Sequence, residues 1–190
     1  MGQRRERAVA GVVGGRLVVA GGYGVGVGIL TSVEAYTPTG WTPLPPLPHA
    51  ATMATACVLN GRLYVMGGYK CNKLQVLEMS EENVSWTVQA DLPEERYRAA
   101  SAVIDGKLWL MGGYVNRSQS DSVSVYDTSS DKWTAGPALP RETRYCRAAI
   151  LDGEVHVTSG AGTWRYDGAA WVGAGNGTAK SCAYESIILG

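Results

Sequence analysis

The chain has 190 residues, a formal net charge of zero and 45% hydrophobic residues. That length is enough for one domain with a buried core. The balanced charge gives no electrostatic argument for a nucleic acid or membrane partner, and no run approaches the ~20 apolar residues of a membrane span.

Four turn dipeptides recur along the chain, each between two short apolar runs. They are Gly14-Gly15, Asn60-Gly61, Asp105-Gly106 and Asp152-Gly153. Such dipeptides supply the positive φ angles of a two-residue β-hairpin turn. The sequence therefore predicts four hairpins, such as the one that joins 102–104 to 108–111.

A diglycine ends the second run of three of these hairpins and recurs every 45 to 46 residues. The copies are Gly21-Gly22, Gly67-Gly68 and Gly112-Gly113, with Ser159-Gly160 as a degraded fourth copy. A fixed period of this length predicts one structural unit stacked on copies of itself. Because glycine lacks a Cβ atom, we expect the diglycines to admit a large aromatic ring at close range.

A third apolar run and a tryptophan complete each repeat. The third runs are 33–36, 74–77, 123–126 and 164–166, and the tryptophans are Trp41, Trp86, Trp133 and Trp171. Short runs separated by turn residues, with no long helical periodicity, predict a four-stranded antiparallel blade. The tryptophans are expected to be structural, so that Trp86→Ala or Trp133→Ala would cost about 3–5 kcal/mol.

This pattern closely resembles the kelch repeat over essentially the whole chain, although the fourth unit departs from it at Ser159-Gly160 and the second has Leu77 where tyrosine is usual. The resemblance implies an all-β fold, a kelch β-propeller formed by one domain over residues 1–190. The expected blades are 1–47, 48–92, 93–139 and 140–177, with 178–190 as the start of a further blade.

The spacing from each tryptophan to the next hairpin turn predicts that 186–189 is the first strand of a fifth blade. Four blades plus one strand describe an incomplete propeller, and the chain is then a piece of a longer one. Closure by dimerisation and a compact ring that uses the last strand are the alternatives. An open arc would expose sheet edges at its ends, which favours self-association.

The cysteines and histidines indicate neither a metal nor a cofactor. Cys57 and Cys146 occupy small strand positions and are expected to be buried thiols, whereas Cys71 lies in a loop where it could be reactive. His156 aligns with core aromatic residues, and His49 stands alone. Reduced thiols fit a cytoplasmic location.

The loops expected at one face of the blades carry the candidate binding residues. Tyrosine and arginine suit recognition because they combine contact area with directed hydrogen bonds. Arginine also binds carboxylates, so the partner is expected to be a protein or peptide with an acidic segment. The alternative is that Arg98 and Arg144 cap strands or pair with neighbouring glutamates. The candidate residues are Tyr69, Tyr97, Tyr114, Asn116, Arg96, Arg98, Arg141, Arg144 and Tyr145.

We therefore expect a non-catalytic protein-interaction module. Similar kelch-like proteins often act as substrate receptors of cullin ubiquitin ligases, but those also carry BTB and BACK domains, which this sequence does not contain. The expectation of an adaptor role therefore rests only on the similarity of the fold. The alternatives are a kelch-fold enzyme, such as a sugar mutarotase or oxidase, and an actin-associated scaffold.

Overall fold

The computed structural model describes residues 1–80 and 82–174, and the regular secondary structure of those residues is entirely β-strand. It contains four antiparallel four-stranded sheets in which neighbouring strands follow chain order. The predicted all-β architecture of successive four-stranded blades is therefore confirmed.

Contacts divide the described residues into two compact units, of which the second begins at Arg96. Unit 1 holds two blades. The strands of blade 1 are Val9–Val13, Arg16–Ala20, Val33–Thr37 and Gly40–Leu44. The strands of blade 2 are Thr55–Leu59, Arg62–Met66, Leu74–Met79 and Val84–Gln89.

Unit 2 holds the other two blades. The strands of blade 3 are Ala100–Ile104, Lys107–Met111, Val123–Asp127 and Lys132–Ala135. The strands of blade 4 are Arg147–Leu151, Glu154–Ser159, Gly162–Tyr166 and Trp171–Gly173. The predicted blade boundaries and the single domain stay predictions, and the proposed strand at 186–189 lies outside the described residues.

The hairpin turns have the backbone conformation that their residues predict. Asn60 and Gly61 have φ angles of 51° and 72°, and Asp105 and Gly106 have 50° and 70°. Two successive positive φ angles are those of a type I′ turn, whose twist matches that of the flanking strands. The first two strands of blade 3 consequently pair without a bulge from Ala100 opposite Met111 to Ile104 opposite Lys107.

The diglycines admit backbone and small side chains at close range rather than the expected aromatic ring. A Cβ atom on Gly113 would lie 2.7 Å from the carbonyl oxygen of Tyr97 and 2.8 Å from the nitrogen of Ala99. One on Gly112 would lie 2.9 Å from Sγ of Cys146. Both glycines also have positive φ angles, 63° and 87°. The diglycine therefore ends the strand and lets the segments that lead into the first strands pass beside it.

Each unit has its own apolar core between its two blades. In unit 1, the buried side chains of blades 1 and 2 form one cluster that includes Val18, Val33, Leu63 and Leu77. In unit 2, Trp109 of blade 3 lies 5.0 Å from Tyr166 of blade 4, measured between ring centroids, within a second cluster. Burial of one blade face against the next supplies the hydrophobic stabilisation that a single sheet cannot provide.

The tryptophans of the fourth strands differ in burial. Trp171 is only 7% exposed, and its indole N–H donates to the carbonyl oxygen of Pro137 at 2.9 Å. Trp86 makes the same bond to Pro45 but is half-buried, as is Trp133. The cost of about 3–5 kcal/mol for truncating Trp86 or Trp133 stays a prediction, and their partial exposure favours a smaller loss because that range applies to fully buried side chains.

Two of the second-to-third strand connections form short hairpins instead of simple loops. In blade 1, Tyr23–Gly24 pairs with Gly28–Ile29. In blade 3, Tyr114–Val115 pairs with both Ser118–Gln119 and Arg96–Tyr97.

Within the described ranges, no helix is long and apolar enough to cross a membrane.

Candidate functional site

Three segments of unit 2 meet beside the diglycine of blade 3. The segment leading into blade 3 pairs with the Tyr114 hairpin, as described above. The segment leading into blade 4 joins them through a bridge between Ser120 and Thr143, in which the Thr143 N–H donates to the Ser120 carbonyl oxygen at 3.1 Å. This brings together loop residues that are about one repeat apart in the sequence, as expected where neighbouring blades pack together.

Five of the predicted binding residues are in contact there and form what we call the unit 2 Arg/Tyr cluster: Tyr97, Tyr114, Arg144, Tyr145 and Arg98. The rings of Tyr97 and Tyr114 stack with centroids 5.0 Å apart and an interplanar angle of 11°. Arg144 Nη1 donates to the Tyr114 hydroxyl at 2.7 Å. The cluster thus links all three segments through side chains.

Both arginines of the cluster lie close to the Tyr145 ring. The guanidinium carbon of Arg98 is 4.1 Å from the ring centroid and that of Arg144 is 5.9 Å from it. These are cation–π distances, at which the aromatic face attracts the positive charge. Tyr145 is 49% exposed and Arg144 is exposed, so the cluster is accessible in unit 2.

The backbone of the cluster is strained at two of its residues. Arg98 and Tyr145 have φ angles of 55° and 54°, in the left-handed region that disfavours side chains. The equivalent residues before the first strands of blades 1 and 2, Arg7 and Met53, have φ angles of 57° and 56°. Glycine would adopt this conformation without strain, so the large side chains at these positions are retained at a cost to stability.

Arg96 is placed differently from the surface position expected for it. It is 3% exposed, and its guanidinium donates to the carbonyl oxygens of Gly112 and Ser122 at 2.9 and 2.8 Å and to the Ser122 hydroxyl at 2.7 Å. This corrects the expectation that Arg96 faces a partner. Its charge is used inside blade 3, where it ties the incoming segment to the diglycine.

Blade 1 contains a counterpart that sequence reasoning missed. Arg5 donates to the carbonyl oxygens of Gly21 and Ser32, each at 2.7 Å, and forms a buried ion pair with Glu34 at 2.7 Å. Burial acts to raise the pKa of Glu34, but hydrogen bonds from the Gly2 N–H and from Arg5 outweigh it, so the pKa lies below its ordinary value. The signal was available, because both arginines precede a diglycine by the same 16 residues.

The remaining predicted binding residues lie outside the cluster contacts. Arg141 is exposed on the segment leading into blade 4. Asn116 is exposed in the turn of the Tyr114 hairpin, with a φ angle of 48°. Tyr69 belongs to unit 1, where it is half-buried and Lys70 Nζ lies 5.6 Å from its ring centroid. A binding role for these three residues stays a prediction.

The three described thiols are buried, whereas neither histidine is. Cys57, Cys71 and Cys146 are buried, as expected for the first and last of these. Burial raises the pKa of the Cys71 thiol, which disfavours the reactive thiolate considered for this loop position. His156 is half-buried rather than a core residue. Among the residues that the structure describes, no three His, Cys, Asp or Glu side chains are grouped to hold a metal ion.

Comparison with known proteins gives one consistent family. The Kelch motif matches residues 4–48 and 95–140, the repeats that contain Arg5 and Arg96. Kelch-like protein 35 of Mus musculus is 32% identical over 166 residues, which cover 84% of this chain and 27% of that protein. Kelch-like protein 35 of Homo sapiens is 42% identical over 158 residues, which cover 82% of this chain and 27% of that protein.

The solved structure of YjhT has the same fold, with a TM-score of 0.69 at 19% sequence identity over 81% of this chain and 58% of that chain. Of the two kelch-like proteins named above, by contrast, the chain spans only about a quarter of the length. The four-stranded blades, the motif matches and these relatives together show that the chain belongs to the kelch-repeat family of β-propeller proteins.

Proposed function

We propose that this chain is a non-catalytic protein-interaction module that binds a protein or peptide segment at the unit 2 Arg/Tyr cluster. The observation that carries the proposal is the convergence of three aromatic rings and two guanidinium groups, in mutual contact, from three separate segments. Tyrosine and arginine are enriched among the residues that dominate binding energy in protein interfaces.

Preorganisation supports this proposal. The Tyr97–Tyr114 stack and the hydrogen bond from Arg144 to Tyr114 hold long side chains in place before a partner arrives. A side chain that is already ordered loses less conformational entropy when the complex forms.

An acidic segment is the partner that the charges of the cluster favour. Among the described residues, Arg144 forms no ion pair, and its guanidinium donates to the Tyr114 hydroxyl instead. A guanidinium stacked on a ring keeps the N–H groups in its plane directed outward, where they can bind a carboxylate. We expect such contacts to contribute about 1.5–3 kcal/mol each.

A narrower role, as the substrate-recognition part of a ubiquitin-ligase adaptor in the cytoplasm, is also part of this proposal. It is supported by the sequence similarity to kelch-like proteins rather than by any contact within the chain. It would be tested by asking whether a cullin co-purifies with this protein from cells.

Self-association is a second candidate, favoured by apolar exposure on blade 4. Ile150 and Leu151 of its first strand are 60% and 54% exposed, whereas Ile104, in the equivalent position of blade 3, packs against the core of unit 2. Sedimentation of wild-type protein and of an Ile150→Glu/Leu151→Glu variant tests this candidate. A monomeric wild type would exclude it.

The binding proposal is tested by selecting random displayed peptides on wild-type protein and measuring the affinity of the recovered peptides by fluorescence anisotropy. We expect acidic sequences, and at least a tenfold loss of affinity for an Arg98→Ala/Arg144→Ala variant of unchanged fold. Lys132→Ala, an exposed lysine of blade 3, is the matched control and should bind normally. Equal affinity of all three proteins would refute the proposed site.

A further inference from the structure

The tryptophan of the fourth strand binds a proline in two of the four blades. The indole N–H of Trp86 in blade 2 donates to the carbonyl oxygen of Pro45, and that of Trp171 in blade 4 donates to the carbonyl oxygen of Pro137, each at 2.9 Å. Both prolines lie in the segment that leaves the preceding blade of the same unit. The repeat therefore already contains, twice, a contact in which an indole recognises a proline-containing segment.

The prolines favour an extended backbone in these segments. Residues 42–48 contain four prolines, and Pro137 is closely followed by Pro140. Proline fixes its own φ angle at about −65° and disfavours the helical conformation of the residue before it. An extended segment of this kind has no hydrogen bonds within itself, so its carbonyl groups are available to an outside donor. An indole N–H can therefore bind such a segment without disrupting it.

Blade 1 has the same aromatic pair in the same register. Tyr36 on its third strand lies opposite Trp41 on its fourth, as Tyr166 lies opposite Trp171 in blade 4. The ring centroids are 5.3 Å apart with an interplanar angle of 59° in blade 1, and 5.2 Å apart with an angle of 48° in blade 4. The indole of Trp41 thus has the same aromatic neighbour as the proline-binding indole of Trp171.

The aromatic pair of blade 1 differs from that of blade 4 in being accessible. Tyr36 is 50% exposed and Trp41 is half-buried, whereas Trp171 is 7% exposed. Among the residues that the structure describes, neither the indole N–H of Trp41 nor the Tyr36 hydroxyl has a hydrogen-bond partner. The donor that binds a proline carbonyl in blades 2 and 4 is therefore unused in blade 1.

We propose that Tyr36 and Trp41 form a binding site for a proline-rich, extended segment of a partner protein, with the Trp41 indole N–H donating to a proline carbonyl oxygen of that segment. Aromatic side chains suit this ligand because proline rings pack on their faces, and because the extended backbone is preformed and loses little entropy on binding. The site belongs to unit 1 and uses none of the residues of the unit 2 Arg/Tyr cluster. It is therefore a second interaction site, beyond the proposed function.

The test uses a synthetic peptide with the sequence of residues 42–48, the segment that contacts Trp86, and a second peptide in which alanine replaces its four prolines. Binding to the isotopically labelled chain is followed through the indole N–H signals in NMR spectra. The Trp41 signal is the one that a Trp41→Phe variant lacks. We expect the proline peptide to shift this signal with an affinity about fivefold higher than that of the alanine peptide.

Variants are compared by the fluorescence anisotropy of the labelled proline peptide. Trp41→Phe keeps a ring beside Tyr36 and removes the donor, so it should weaken binding about fivefold, the loss expected for one neutral hydrogen bond. Tyr36→Ala removes a ring and should weaken binding further. Trp133→Phe, the same change at the half-buried tryptophan of blade 3, is the matched control and should bind as wild type does. Circular dichroism and thermal melting confirm that each variant is folded.

Three results would overturn the proposal. The first is a Trp41 signal that the proline peptide shifts no more than the alanine peptide does. The second is equal affinity of wild type and Trp41→Phe, which would place the peptide elsewhere. The third is a wild-type dimer in sedimentation that Trp41→Phe converts to a monomer, which would assign the pair to a contact between two copies of this chain. An Arg98→Ala/Arg144→Ala variant should bind the proline peptide normally, so this site and the unit 2 Arg/Tyr cluster are tested independently.

Discussion

Replacing Arg96 by methionine should destabilise the chain far more than its position in a connecting segment suggests. The change removes hydrogen bonds of 2.9, 2.8 and 2.7 Å to Gly112 and Ser122, and leaves their carbonyl oxygens without this donor. Each bond to a charged group contributes about 1.5–3 kcal/mol. Methionine keeps most of the apolar stem buried, and the polar groups can relax in part. We therefore expect a loss of about 3–5 kcal/mol.

The measurement is urea unfolding followed by tryptophan fluorescence, with the free energy taken from the midpoint and slope. Arg141→Met is the matched control, because Arg141 is exposed on the corresponding segment of the next blade. It should change stability by less than about 0.5 kcal/mol. A loss below about 1 kcal/mol for Arg96→Met would refute the buried role and return Arg96 to the candidate binding residues.

Three further predictions follow from single positions. Trp171→Ala should cost about 3–5 kcal/mol of unfolding free energy and Trp133→Ala about half of that, since Trp171 is buried and Trp133 only half-buried. Equal losses would contradict this difference in burial. Tyr145→Gly should be more stable than Tyr145→Ala by about 1 kcal/mol because of the left-handed backbone, whereas alanine should be the more stable of the two at Arg144; thermal melting of the four variants decides this. Because the pKa of Glu34 is lowered on folding, its charge stabilises the native state above pH 4.5 and this contribution is lost as the pH falls; the stability difference between wild type and Glu34→Gln should therefore shrink on going from about pH 7 to about pH 3, and a constant difference would contradict the ion pair.

The blades could be predicted from the sequence because their turns and strands are encoded locally. A two-residue hairpin turn requires positive φ angles at both of its central residues, and Asn60-Gly61 and Asp105-Gly106 are the residue types that adopt them most readily. The apolar runs on either side then fix which strands pair. The role of the diglycine was harder to predict, because glycine shows that something approaches closely but not whether it is a ring or a backbone.

The binding residues were predicted only in part, for a related reason. Connecting segments have no regular alternation, so the sequence does not show that Arg96 points inward while Arg98, two residues later, lies over Tyr145. The burial of Arg96 depends on Ser122, which is 26 positions away. Only the assembled blade brings those acceptors to the arginine.

In each blade, the residue that precedes the first strand by two positions has a left-handed backbone conformation, and this affects which substitutions the repeat can accept. Arg7, Met53, Arg98 and Tyr145 differ in charge, length and shape, yet their φ angles agree within a few degrees. The backbone therefore admits unbranched side chains of quite different charge and length at this position, at a penalty that glycine and, to a lesser degree, Asn or Asp would reduce. Residues can be exchanged here with little further effect on the blade, so each repeat carries one position at which recognition can diversify independently of folding.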